Sequence, residues 1–256
     1  MRVLAIDIGG TNVKVLATGE EQPRKFPSGP TMTPREMVSR VKELVGDWEY
    51  DVVAVGFPGQ VKNDRVLKEP NNLGPGWTGF DFGAAFGRPV KVINDAAMQA
   101  LGSCQVTTML FLGLGTGLGS AMIVRGHVVP MELGQLCYRK GIVEDYLGAR
   151  GLKRMGKKKW RKTVAEYIAG LIPAFQLDDI VLGGGIVKHL KELPPGCRRG
   201  DNANAFVGGF RLWEKASAPV ADTGDRACGD ARLPKQSQSL AGGQPGAAVT
   251  DVLPEN

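Results

Sequence analysis

Two short segments of this chain join glycine-rich backbone to an oxygen-bearing side chain, a combination suited to holding phosphate. In DIGGTN, Asp7 precedes Gly9 and Gly10, and Thr11 follows them. Glycines let backbone N–H groups converge on an anion, and the threonine adds a hydroxyl donor. A carboxylate beside phosphate repels it unless a cation lies between, so Asp7 reads as a Mg²⁺ holder, directly or through water. A plain hairpin turn is the other reading, but it needs no acid. The second segment, LGLGTGLGS, repeats the pattern around Gly115, Thr116 and Gly117. It lacks the GxxxxGK[ST] of a P-loop, and the following AMIV continues as a strand, so a glycine-lined cradle at a hairpin tip fits it best.

A third segment, VINDAAMQALG, sets Asn94 and Asp95 where a strand passes into a helix. Either residue can serve as the helix N-cap. In the functional reading, Asp95 accepts the proton of an attacking hydroxyl. Phosphoryl transfer rests mostly on positioning and electrostatics, so ordinary carboxylate acidity suffices there. Asn94 can donate to and accept from hydroxyl groups. Glu132, in VPMELGQL, can anchor a vicinal diol or stand as a solvated loop residue. In NNLGPGW, Asn72 offers an amide and Trp77 an apolar wall for a sugar, or the tryptophan staples its loop to the core.

The elements that must position these groups follow from the hydrophobic pattern. RVLAIDI and VKVLAT read as a hairpin, TPREMVSRVKELV as a helix capped by Thr33, and DVVAVGFPGQV as a buried strand. FDFGAAFG reads as helical, and RPVKVINDAAMQALG as a strand running into a helix. MLFLGLGTGLGSAMIV forms a second hairpin, and residues 141–174 read as mostly helical and strongly basic. DDIVLGGGIVKHL is a strand, a glycine turn and the start of a helix, and NANAFVGGFRLWEK a last helix. Two Gly-Thr hairpins followed by further αβ units imply two related lobes facing a shared cleft. The expected division is 1–95 for the first lobe, completed by the helix around 201–215, and 96–200 for the second. Beyond it, 216–256 changes to a composition expected to pack loosely or remain disordered.

Composition narrows the classes further. The chain has 256 residues, 43% of them hydrophobic, enough for one or two cores. Its 36 glycines are about twice the roughly 7% background, and many fall in the runs above. The net charge of +6 suits a polyanionic partner or is simply a basic surface. Four scattered cysteines and two histidines give no metal-ligand spacing, so no zinc is expected. No stretch nears the ~20 apolar residues of a membrane helix, and the cysteine usage reads as reduced. The expectation is a cytoplasmic protein with no membrane partner.

DIGGTN, VINDAAMQALG, LGLGTGLG, MELGQ and VLGGGIV occur in the order seen in the ROK family of sugar kinases, which the chain resembles over residues 1–214. NNLGPGWTGFDF and YRKGIVEDYLGARGLKRMGKKKW look like its polyphosphate/ATP glucokinase branch. The resemblance implies an α/β fold of two ribonuclease-H-like lobes of the hexokinase–actin–Hsp70 superfamily around a cleft. It implies Asp95 as catalytic base, and Asn72, Asn94, Asp95, Glu132 and Gln135 on the sugar. Gly9, Gly10, Thr11, Asn12 and Lys14 would meet the donor phosphates together with Gly115, Thr116 and Gly117, with Mg²⁺ at Asp7. Gly183, Gly184 and Gly185 would lie near the adenosine of a nucleotide donor. Two departures stand out. The cysteine-rich zinc loop of many members is missing, and the usual ExGH histidine is Gln135, which cannot become a cation.

The resulting expectation is a kinase moving a phosphoryl group from ATP or polyphosphate to the 6-hydroxyl of a hexose, glucose foremost. Mannose, fructose or an N-acetylhexosamine are alternative acceptors, and a catalytically weak sugar-binding relative is a further alternative. Repressors of the family carry an added N-terminal helix-turn-helix, whereas the first hairpin here begins at residue 3, so no nucleic-acid partner is expected. The relatives imply a homodimer. Lys157–Lys159, with Arg154, Arg161 and Lys162, form either a polyphosphate track or a solvated helix face.

Overall fold

In the first part of the chain, apolar runs become buried strands. β1 (Val3–Ile8) and β4 (Val52–Phe57) are buried at every position, while β2 (Asn12–Ala17) alternates and so covers one face. The computed structural model describes residues 1–201 and 203–214. The 216–256 segment lies outside them. β3 (Arg24–Pro27) pairs antiparallel with β2, β2 with β1, and then β1, β4 and β7 (Val90–Asn94) run parallel. The sheet order is β3-β2-β1-β4-β7. Helix α1 (Pro34–Leu44) carries the chain from β3 to β4. Thr33 caps it by accepting from the Glu36 N–H, Pro34 opens its first turn, and Met37, Val38 and Val41 are buried. A small hairpin of β5 (Val61–Lys62) and β6 (Arg65–Val66) and the short helix α2 (Phe82–Phe86) precede β7.

Helix α3 (Asp95–Ser103) leads to a second sheet of the same design. Its antiparallel meander is β8 (Thr108–Leu114), β9 (Leu118–Val124) and β10 (His127–Met131). A loop-rich segment holds the two-residue strands β11 (Cys137–Tyr138) and β12 (Gly141–Ile142) and the one-turn helix α4 (Glu144–Leu147). Then come α5 (Ala149–Phe175) and the parallel strands β13 (Asp179–Gly183) and β14 (Cys197–Arg199). The order β10-β9-β8-β13-β14 repeats that of the first sheet position for position. This is the two-lobed α/β architecture expected from the paired hairpins. Each sheet has its own core, one containing Ile6, Val13, Val53 and Trp77, the other Leu112, Trp160, Ile168 and Leu182.

Helix α6 (Asn204–Arg211) follows β14 and packs on α3, β1 and β4 of the first lobe. It crosses α3 backbone to backbone. A Cβ at Gly102 would sit 1.8 Å from the Asn204 carbonyl oxygen, and one at Gly208 the same distance from that of Met98. Only hydrogen fits at those two positions. The C-terminal carbonyls of α3 are held by arginines: Arg211 Nη1 donates to Leu101 O at 2.7 Å, and Arg198 Nη2 donates to Ser103 O at 2.5 Å. Arg198 also donates to Asp179 Oδ2 at 2.7 Å, joining α3 to the second sheet. The helix that begins with Asp95 is therefore tied to both lobes.

The structure departs from the pattern reading in several elements. Residues 141–174 are mostly helical, as the pattern implies, but Gly141–Ile142 pair with Cys137–Tyr138 and α5 breaks at Gly156 (φ +73°). After β13 there is only a one-turn 3₁₀ helix, Val187–His189.

Candidate active site

Ligands in open α/β sheets bind beyond the carboxyl ends of parallel strands. Here the segments following β1, β4, β7, β8 and β13 all reach one cleft of about 1010 Å³. Gly10 and Thr11 line one side, Gly115, Thr116 and Gly117 another, and Asp95 lies among them. Asn72, Asn94, Glu132, Gln135 and Gly184 also line it. Asp7, Gly9, Asn12, Lys14, Gly183 and Gly185 are not on its wall. Asn72 packs beside Gly10, whose absent Cβ would meet the asparagine Cβ at 3.4 Å. At Gly184 a positive φ (+89°) and the Leu114 carbonyl, 2.2 Å from where a Cβ would stand, both require glycine.

Asp95 is placed by its neighbours. Asn94 caps α3, its Oδ1 accepting from the Ala97 N–H at 3.1 Å while its Nδ2 donates to the Gly59 carbonyl at 3.1 Å. Both ends of that amide thus have structural partners, and a sugar would share them. The Asp95 Oδ1 accepts from the Ala96 N–H at 2.8 Å. Its other oxygen makes no hydrogen bond to the described residues. Burial, then the charge of Asp7, and more weakly that of Glu132, push the Asp95 carboxyl up to about 7. The ordinary acidity expected from the sequence is thereby corrected: burial among like charges tunes this group toward neutral pH.

The other acids of the site are similarly crowded. Burial raises Asp7, opposed by Lys14, whose Nζ lies 3.6 Å from Asp7 Oδ2. Burial and then the Glu144 charge raise Glu132. Among the described residues no group of three or more His, Cys, Asp or Glu could hold a metal ion. Mg²⁺ at phosphoryl-transfer sites, however, takes one or two carboxylates and completes its shell with phosphate and water. Asp7, buried and close enough for its charge to act on Asp95, fits that arrangement and not a cage made of protein alone.

Trp77 is no wall of the cleft. It is fully buried, 5.4 Å from Phe57 between ring centroids, and donates to the Met32 carbonyl at 3.3 Å. Its loop is shaped by Glu69, which accepts from the Trp77 and Thr78 N–H groups at 3.1 and 3.0 Å. Residues absent from the sequence reading also line the cleft: Gln60, Glu69, Gln99 and Glu144. Glu144 matters most. Its Oε2 accepts from the Leu118 N–H at 3.2 Å, directly under the second glycine hairpin, and a Cβ at Gly117 would strike it at 2.5 Å. One donor of that hairpin is therefore occupied by a carboxylate. The signal for Glu144 is the need of the Leu118 N–H for a partner, which spacing alone does not reveal.

Residues 3–160 match the ROK family model. N-acetylmannosamine kinase of Haemophilus influenzae (strain PittEE) is 25% identical over 249 residues, covering 73% of this chain and 81% of that protein. Fructokinase of Pediococcus pentosaceus is 27% identical over 241 residues, covering 74% and 82%. Among solved structures, inorganic polyphosphate/ATP-glucomannokinase from Arthrobacter sp. strain KM superimposes with a TM-score of 0.69. It is 27% identical and covers 81% of this chain and 96% of its own. The chain belongs to the ROK family, as one of its sugar kinases.

Proposed function

We propose that this kinase phosphorylates the 6-hydroxyl of a hexose, glucose foremost, with Asp95 as general base and ATP or polyphosphate as donor. The observation that carries the reading is the meeting of Asp95 with both Gly-Thr hairpins in one cleft. A hexose hydroxyl beside the free Asp95 oxygen loses its proton to it as the bond to phosphorus forms. The Ala96 N–H keeps the other oxygen, and hence the carboxylate plane, fixed. Glu132, Gln135, Asn72 and Glu144 supply acceptors and amides for the remaining hydroxyls, with Asn94 sharing its amide between sugar and cap. Gly10 and Thr11 on one lobe and Gly115–Gly117 on the other take the donor phosphates, with Gly9, Asn12 and Lys14 as supporting chain neighbours, and Gly184, flanked by Gly183 and Gly185, faces the adenosine of ATP. When bound at Asp7, Mg²⁺ supplies positive charge to the transferring phosphate.

Polyphosphate is favoured as a donor by the likeness to the Arthrobacter enzyme and by Lys157–Lys159, exposed on α5 just after its break. Arg161 and Lys162 are instead engaged with the His189 carbonyl and with Glu166. An N-acetylhexosamine acceptor is the second reading, favoured by the Haemophilus relative. The same proposal includes a cytoplasmic homodimer, which light scattering on the purified protein would test. Among the described residues no helix is long and apolar enough to cross a membrane. A coupled assay over glucose, mannose, fructose and N-acetylmannosamine, run with each donor, tests the whole reading. Saturable transfer to glucose is expected. No transfer to any of the four would remove it.

A further inference from the structure

Three of the acceptor-side groups, Glu132, Gln135 and Glu144, come from the stretch between β10 and α5, and regular structure there is slight. It has a 3₁₀ turn, two two-residue strands and one helical turn. Backbone ladders this short do not hold a loop still, so side chains must do so. Three tyrosines that do not line the cleft stack edge to face beside the loop. Tyr138 lies 5.2 Å from Tyr146 and 5.3 Å from Tyr167, centroid to centroid, with interplanar angles of 86° and 78°. Tyr167 belongs to α5, so the stack pins the β11–β12 hairpin to the longest helix of the second lobe.

Arginines close the cluster. Arg139 lies 5.0 Å from the Tyr138 ring and 5.6 Å from that of Tyr146, and it donates to Glu166 on α5 at 3.0 Å. Arg154 lies 4.8 Å from the Tyr146 ring and donates to the Asp145 carbonyl at 2.8 Å. The Tyr146 hydroxyl accepts from the Lys140 N–H at 3.2 Å, and the Asp145 carboxylate accepts from the Ile142 N–H at 3.3 Å and from Arg150 at 2.9 Å. Arg139 holds a positive φ of 54°, a conformation that disfavours a side chain with a Cβ. The contacts of its guanidinium with both rings and with Glu166 offset that cost.

We infer that the Tyr138–Tyr146–Tyr167 stack, with Arg139, is the positioning element of the acceptor half of the cleft. It fixes the loop that carries Glu132, Gln135 and Glu144 without itself touching substrate. The inference rests on the sugar reading of that half, and its test separates the two. Hydrogen exchange on the free protein needs no ligand. Tyr138→Leu should speed exchange of the amides from Leu133 to Glu144 by about tenfold or more and leave β1 and β2 unchanged. In steady-state assays the acceptor KM should rise about tenfold and the donor KM by clearly less, its change passing through the Glu144–Leu118 bond.

Tyr138→Phe should restore both, since the Tyr138 hydroxyl has no hydrogen-bond partner among the described residues. Arg139→Gly tolerates the positive φ but removes the guanidinium, so it should keep the turn and still raise acceptor KM, which guards against a Tyr138→Leu protein that fails to fold. Faster exchange with unchanged acceptor KM would overturn the positioning role while leaving the kinase reading intact. Equal rises in both KM values would also overturn it, and so would unchanged exchange in both variants. A wild-type enzyme that binds no hexose would overturn the inference together with the reading it rests on.

Discussion

In the proposed reaction Asp95 is the carboxyl group that takes the proton. Held up to about 7, it must lose its proton before it can act as a base. The expected pH profile of kcat/KM rises with unit slope below about pH 7 and flattens above it. A profile flat from pH 5 to 8 would contradict the assignment. The same shift has a consequence for stability. Because the folded-state pKa lies above the unfolded value, stability from this group is full below the unfolded pKa and is lost as pH rises through about 7. Asp95→Asn keeps an oxygen for the Ala96 N–H and removes that charge, so thermal melts at pH 8 should show it more stable than wild type, with the gain vanishing near pH 4. Gln135 offers another residue-scale test: Gln135→His should change hexose affinity by about threefold or more, measured by calorimetry, because position 135 lines the cleft.

Among the elements, α3 and α6 are the pair on which the site depends, since Asp95 opens one and the other holds it. Their contact admits no side chain at Gly102 or Gly208. Gly102→Ala should cost about 3 kcal/mol or more by forcing the helices apart, seen as a large drop in Tm, and lose transfer with it. An unchanged Tm would show that the crossing is looser than described. The elements legible in the sequence were those with local chemistry: the glycine hairpins, the Thr33 cap with Pro34, and the passage from Val90–Asn94 into α3. Strands β3, β10 and β14 were not legible. RKFP, HVVPM and CRR are short and carry charge or proline, and they become strands only because a sheet edge is there to pair with. Glu144 was hidden for the same reason, because its partner, the Leu118 N–H, is distant in sequence.

At the scale of the whole molecule, duplication is the organising fact. Two sheets of identical strand order each present a Gly-Thr hairpin to one cleft, and in the sequence this is legible as two glycine motifs. Charge is distributed unevenly over that frame, with acids in the cleft and lysines exposed on α5. If Lys157–Lys159 guide polyphosphate, its KM should climb steeply between about 50 and 200 mM salt while the glucose KM stays nearly level. A salt-insensitive polyphosphate KM would return those lysines to the solvated surface. The central claim is that Asp95, among the carboxylates of the cleft, is the general base of transfer. Asp95→Asn, assayed for transfer and by calorimetry for sugar binding in the same preparation, should lose about a thousandfold or more in kcat and still bind glucose; a variant with near-wild-type kcat would contradict it.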